Sequence, residues 1–194
     1  MSHRINRVAV LGSGTMGSQI AAHCANAGLE VLLLDVAPKE LTAQEQARGL
    51  SLESKAVKNR IVNSGLEAAK KIKPAAFFSP RVAGLITTGT FEDDLERVSG
   101  VDWIVEAIVE KVDIKRDLFA RVELFRKAGT IVSSNTSGIP IKAMAEGMSF
   151  LLPACLPRFW NTCASGTSYV RQKFGWFFRG KMESALFHQY SHFS

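Results

Sequence analysis

"RVAVLGSGTMGSQIAAHCANAGLEVLLLD" (residues 7–35) decides the fold. The apolar run Val8–Leu11 stops at Gly12 and has the character of a buried strand. Thr15 to Ala27 has helical spacing, with Ile20 and Cys24 four residues apart and Gly28 as a natural stop. "EVLLLD" (30–35) is a second strand with polar residues only at its ends. Between the first strand and the helix, Gly12, Gly14 and Gly17 spell G-x-G-x-x-G. In that pattern the first glycine allows a tight turn, the second admits a pyrophosphate to the backbone, and the third lets the helix pack closely on the sheet. The helix start adds unpaired N–H groups and the positive end of its dipole. Asp35 ends the second strand, eighteen residues after Gly17. A carboxylate there accepts ribose hydroxyls and repels a 2′-phosphate, which favours NAD over NADP. Ser13, Thr15 and Met16 share the turn and join the three glycines and Asp35 as cofactor-binding candidates. On this motif alone FAD stays open.

Working outward, residues 38–80 are rich in Glu, Lys, Ala and Gln and predict one or two helices inserted after the second strand. "AGLITTG" (83–89) supplies a third strand, "FEDDLERVSG" (91–100) a short acidic helix, and "VDWIVEAIV" (101–109) a fourth strand. "KVDIKRDLFARVELFRKAG" (111–129) is an amphipathic helix with Leu118, Val122 and Phe125 on its apolar face. Its aspartates come early and Arg126–Lys127 late, matching the helix dipole. "TIVSS" (130–134) is a fifth strand, and Pro140 suits the first turn of a following helix. Strands alternating with helices imply an α/β fold, a doubly wound parallel sheet of Rossmann type with a helical insertion after its second strand.

"VDWIVEAIVEKVDIKRDLF" followed by "GTIVSSNTSGIPI" resembles the NAD-dependent L-3-hydroxyacyl-CoA dehydrogenases of fatty-acid β-oxidation. Their N-terminal domain pairs G-x-G-x-M-G with E-A-[IV]-x-E and S-N-T-S, and all three occur here in order, with Met16 in its place. The resemblance runs from residue 5 to about 149, and the long segment after Asp35 is most similar to bacterial multi-domain members. It implies that Glu110 and Lys115 lie near the nicotinamide side of NAD, and that Asn135 and Ser137 touch nicotinamide, substrate or both. A Ser137 hydroxyl would then donate to the substrate's C3 oxygen. Glu106 is ambiguous at a strand end, where it can simply satisfy backbone groups. Lys115 can also be a solvated helix-face lysine, and pattern alone favours Ser137 as a cap of the Pro140 region, an order that the resemblance reverses. The cations Lys58, Arg60, Lys70, Lys71 and Lys73 are as well explained by solvated helix faces as by coenzyme A phosphates.

The resemblance also implies a base, a histidine in an H-F-F-N-P segment polarised by a later glutamate, and a helical C-terminal domain that closes the site and builds the dimer. The H-F-F-N-P segment does not occur in the sequence: His3 precedes the first strand, His23 sits on the first helix, and His188 and His192 lack that context. Residues 1–149 are thus expected to form an NAD-binding domain, and 150–194 an anomalous tail from a truncated or frameshifted frame, leaving the sheet short of its last strands. The tail holds most of the aromatic residues and most of the +6 formal charge, so the basic balance is weak support for a nucleic-acid partner. No apolar run reaches the roughly 20 residues of a membrane span, and the N-terminus lacks a signal peptide's apolar stretch. Cys24, Cys155 and Cys163 have no metal-ligand spacing, which fits a reduced, cytoplasmic setting and no metal. Three functions remain: the acyl-CoA dehydrogenation, with this chain inactive alone; an NAD-binding or interaction module without catalysis; and a Rossmann dehydrogenase of a small hydroxy acid, against which S-N-T-S and E-A-I-V-E count.

Overall fold

In the computed structural model the first strand, β1 (Arg7–Leu11), runs into the glycine turn, α1 (Thr15–Asn26) leaves it, and β2 (Glu30–Asp35) returns parallel to β1. The structure describes residues 4–140 and 143–144, together with the backbone of 159–161. After an insertion, β3 (Ile86–Thr90) adds beside β2. The chain then crosses back to place β4 (Trp103–Glu106) on the other side of β1, followed by β5 (Ile131–Ser134). With β6 (Phe159–Asn161) beyond β5, the order is β3-β2-β1-β4-β5-β6, with every pairing parallel. Strand order reverses between β1 and β4, so the crevice for a ligand opens there, at the C-terminal ends of the strands.

Alternation along the strands divides the core in two. Ala9, Leu11, Leu32, Leu34, Ile104 and Val132 face α5 (Val112–Glu123), which buries Leu118, Phe119 and Val122 against them. Val8, Val10, Val31, Leu33 and Val105 face α1 and the insertion helix α4 (Arg60–Lys71). Both faces are covered, and that is why β1 and β2 are continuous apolar runs rather than alternating ones.

Several elements differ from the sequence expectation. The insertion holds three helices, α2 (Ala43–Ala47), α3 (Lys55–Lys58) and α4. A capping box between Thr42 and Glu45 starts α2, and Gly49, at φ +67°, stops it in the left-handed conformation open to glycine. The acidic segment is a 3-10 turn over Leu95–Gly100. The fourth strand ends at Glu106, and the Ala107 N–H donates the last rung of its ladder to the Leu11 carbonyl. α5 ends at Glu123, so Phe125 lies beyond it, 40% exposed, and Phe119 takes its place in the core.

The sheet was also expected to stop at β5, yet β6 (Phe159–Asn161) pairs with it from Val132↔Phe159 to Ser134↔Asn161. The outer edge of β5 otherwise presents unpaired backbone groups, which a further parallel strand satisfies. The expected helix at Pro140 is described only at 143–144, and the rest of the tail, with His188 and His192, lies outside the described residues. Among the described residues no helix is long and apolar enough to cross a membrane, and no group of His, Cys, Asp and Glu is arranged to hold a metal. Cys24 is free and buried in the α1 interface, and burial pushes its thiol up to about 12.

Asp102 ties the lower edge of the sheet together. Its Oδ2 accepts the N–H groups of Asn6 at 2.9 Å and Arg7 at 3.1 Å, and its Oδ1 accepts Lys127 Nζ at 2.9 Å. Burial alone would raise this carboxyl; the two N–H donors and the Lys127 charge outweigh it and hold it below the usual range. A carboxyl with a depressed folded pKa stabilises above its unfolded pKa of about 3.9, and that stabilisation is lost as pH falls through the lower folded value. Asp102→Asn should therefore lower Tm at neutral pH, with the gap to wild type closing below about pH 4 in a circular-dichroism pH series. A second expectation concerns Gly17, where a Cβ would stand 1.9 Å from the Gly12 carbonyl oxygen. Gly17→Ala should cost at least about 3 kcal/mol in urea denaturation, at or above the upper end for overpacking.

Candidate functional site

The three glycines of the first turn serve different ends. Gly12 holds φ +105°, its N–H donates to the Leu34 carbonyl at 2.7 Å, and a Cβ there would meet the Ala107 carbonyl oxygen at 2.6 Å. Gly17 is equally enclosed, against Gly12 itself. Gly14 is the exception: a Cβ at that position meets nothing within 4 Å. Two glycines are required by packing, and the third leaves the backbone open to solvent. Thr15 and Met16 follow on the first turn of α1, both exposed, and the first N–H groups of that helix have no intrahelical acceptor. This bare, donor-lined cradle fits a pyrophosphate.

Asp35 is fastened to the same turn. Its Oδ2 accepts both the N–H and the hydroxyl of Ser13 at 2.6 Å, and its Oδ1 accepts the Val36 N–H at 2.8 Å. Acceptor capacity remains on Oδ1, enough for a ribose hydroxyl. Sequence reading did not find what supports Ser13 from outside. A Cβ on Gly65, in the middle of α4, would lie 2.1 Å from the Ser13 carbonyl oxygen, so the insertion rests directly on the turn. The available signal was a glycine inside an amphipathic helix, which costs about 1 kcal/mol against alanine and calls for a packing reason.

The loops after β4 and β5 meet beside this turn. Register places Leu11 opposite Glu106, and the Asn135 N–H donates to the Glu106 carbonyl at 2.8 Å. Lys115, expected near the cofactor, is 1% exposed, with Nζ 2.6 Å from Glu106 Oε1 and 3.5 Å from Glu110 Oε2. Glu110 Oε1 gathers the next loop: it accepts the Thr136 hydroxyl, the Ser137 N–H at 3.2 Å and the Gly138 N–H at 3.1 Å. The Thr136 hydroxyl is the main reason its carboxyl is held below the usual range. Burial opposes that shift, while the Gly138 N–H, the Lys115 charge and the Ser137 N–H reinforce it. Glu110, Lys115, Asn135 and Ser137 thus come together at one end of the sheet, on the side of β1 opposite Asp35. Glu106, set aside in the sequence, is wholly buried at the centre of this group.

His23 is the one histidine among the described residues. It lies in the last turn of α1, partly buried, and burial lowers its pKa. α1 begins at the C-terminal end of β1 and runs back along the sheet, so His23 sits at the end away from the Glu110 loop.

Residues 7–152 match the family model described as "3-hydroxyacyl-CoA dehydrogenase, NAD binding domain". A Bacillus subtilis protein named "Probable 3-hydroxyacyl-CoA dehydrogenase" is 48% identical over 149 residues, which are 77% of this chain and 19% of that protein. A Deinococcus radiodurans protein of the same name is 44% identical over 146 residues, 75% of this chain and 38% of that one. The crystal structure of Mycobacterium tuberculosis FadB2 superposes with a TM-score of 0.50 at 31% identity, covering 76% of this chain and 46% of that one. The chain therefore spans less than half the length of each of these proteins, and NAD is the cofactor of the domain it matches. By that match over most of its length, the chain belongs to the 3-hydroxyacyl-CoA dehydrogenase family, through the family's NAD-binding domain.

Proposed function

We propose that the chain supplies the NAD-binding domain of an enzyme that oxidises L-3-hydroxyacyl-CoA to 3-oxoacyl-CoA in fatty-acid β-oxidation. The observation that carries this reading is the meeting of an open Gly14 cradle with the Glu110-held loop at one end of the sheet. Gly12 to Gly17, with Ser13, Thr15 and Met16, hold the pyrophosphate, and Asp35 takes an adenosine ribose hydroxyl. Bound NAD supplies the hydride acceptor for the substrate's C3. Asn135 and Ser137 line the nicotinamide and substrate side, with Glu110 and Lys115 behind them. The Ser137 hydroxyl donates to the C3 oxygen as it becomes a carbonyl, a stabilisation that grows toward the transition state.

Removing the hydroxyl proton needs a base within hydrogen-bond reach. No histidine of the described residues lies at this end, and the family's H-F-F-N-P segment does not occur in the sequence. This observation favours a second reading, in which the chain binds NAD with little turnover of its own. In either reading residues 1–149 carry the cofactor site, to whose sheet Phe159–Asn161 adds a sixth strand. The setting is cytoplasmic, the partner is an acyl-CoA rather than nucleic acid or membrane, and dimerisation belongs to the helical domain of complete family members.

Calorimetry should show NAD binding by the whole chain. Absence of binding would overturn the proposal. Acetoacetyl-CoA with NADH should give little or no steady-state turnover, and substantial kcat would refute the second reading. Gly14→Val should weaken NAD binding at least tenfold while leaving Tm near that of wild type, because its side chain fills only open space. Asp35→Ser should shift the NAD-to-NADP affinity ratio toward NADP by at least tenfold, through loss of both the ribose acceptor and the repelling charge.

A further inference from the structure

Every oxygen of Glu106 accepts a hydrogen bond from its own neighbours, and its side chain is wholly buried. Its backbone carbonyl takes the Asn135 N–H at 2.8 Å, and its Oε1 takes the Ile108 N–H at 2.7 Å and Lys115 Nζ at 2.6 Å. Its Oε2 accepts the Ser134 hydroxyl, whose oxygen in turn accepts the Thr136 N–H at 3.2 Å. One side chain thus bonds to the loop after β4, to α5 and to the end of β5. A lone buried carboxylate is costly, and so is a lone buried ammonium; the pair is stable here because hydrogen bonds satisfy what their mutual attraction leaves over.

Lys115 then passes the constraint outward. Besides Glu106 it reaches the Ile108 carbonyl at 3.4 Å and Glu110 Oε2 at 3.5 Å, while Glu110 Oε1 fixes Thr136, Ser137 and Gly138. We propose that Glu106 is a positioning residue for the nicotinamide side of the pocket: through Lys115 and Ser134 it sets the place of Glu110 and of the 135–138 loop. It touches neither cofactor nor substrate. This goes beyond the roles given to Glu110, Lys115, Asn135 and Ser137, and it rests on reading that loop as the nicotinamide side of an NAD site. The adenine side has a separate support, from Ser13, Asp35 and Gly65, so a fault at Glu106 should reach only one half of the cofactor.

That separation supplies the test. ADP carries the adenine, ribose and pyrophosphate; NADH adds the nicotinamide half. The whole chain is titrated with each ligand by calorimetry, and NADH also by its fluorescence emission. Glu106→Gln should bind ADP within about twofold of wild type and NADH at least tenfold more weakly, with a smaller rise in emission. The double variant E106Q/K115M removes both buried charges together, avoids stranding the lysine, and should show the same split. Unchanged NADH binding in either variant overturns the proposal. Equal loss of ADP and NADH in both variants overturns it too, since Glu106 is then a residue of folding alone. A wild-type chain that binds neither ligand would instead sink the NAD reading beneath it, an outcome distinct from either.

Discussion

Backbone meets backbone at the end of β1, and the site depends on that contact. Gly12 lies against the Ala107 carbonyl, and Gly17 lies against Gly12, at distances that admit no side chain. The contact draws three segments to one point: the end of β1, the start of α1 and the exit of β4. Hydrogen bonds from Gly12 to Leu34 and from Ala107 to Leu11 lock the same junction from both sides. The crevice at the strand reversal therefore has a fixed floor, and the open position at Gly14 is a consequence of its two enclosed neighbours.

On that floor the two halves of the pocket are built from different materials. The Asp35 side is a short-range arrangement, a carboxylate held by the N–H and hydroxyl of Ser13 and backed by the bare Gly65 face of α4. The Glu110 side is a charged relay, in which Glu106 and Lys115 are buried and Glu110 is nearly half exposed. Burial of the first two removes solvent competition, so their attraction is little screened by salt. At Glu110 water and loop N–H groups compete, and this carboxylate is the place where the relay can adjust.

The strand–turn–helix–strand core was legible because it rests on local rules. Apolar runs, three glycines and Asp35 all act within residues 7–35. The clustering of Glu110, Lys115, Asn135 and Ser137 came from motif resemblance rather than spacing, since α5 and β5 separate them in sequence. What escaped was long-range. Glu106 reads as an ordinary strand-end acid until Lys115, nine residues on, is seen to fold back onto it. Gly65 has no local meaning, and only the approach of α4 to Ser13 explains it. Phe125 followed helical spacing correctly, but the helix ends two residues before it. The pairing of Phe159–Asn161 with β5 was also out of reach, because nothing near it in sequence announces its partner.

The buried pair gives the last step. Replacing such a pair with apolar side chains of similar volume is often neutral or stabilising, so stability alone does not account for a lysine and a glutamate at the top of this sheet. Geometry does. An apolar core at this point would pack α5 against β4 and β5, but it would offer no directed bonds to the Ile108 N–H, the Ser134 hydroxyl and Glu110. Directed bonds are what turn three independent segments into one framed loop. The Glu106 carboxylate takes donors from three segments, the Ile108 N–H and Lys115 Nζ on one oxygen and the Ser134 hydroxyl on the other, and so ties their positions together. The glycine junction fixes where the pocket is, and the buried pair fixes which way its second wall faces.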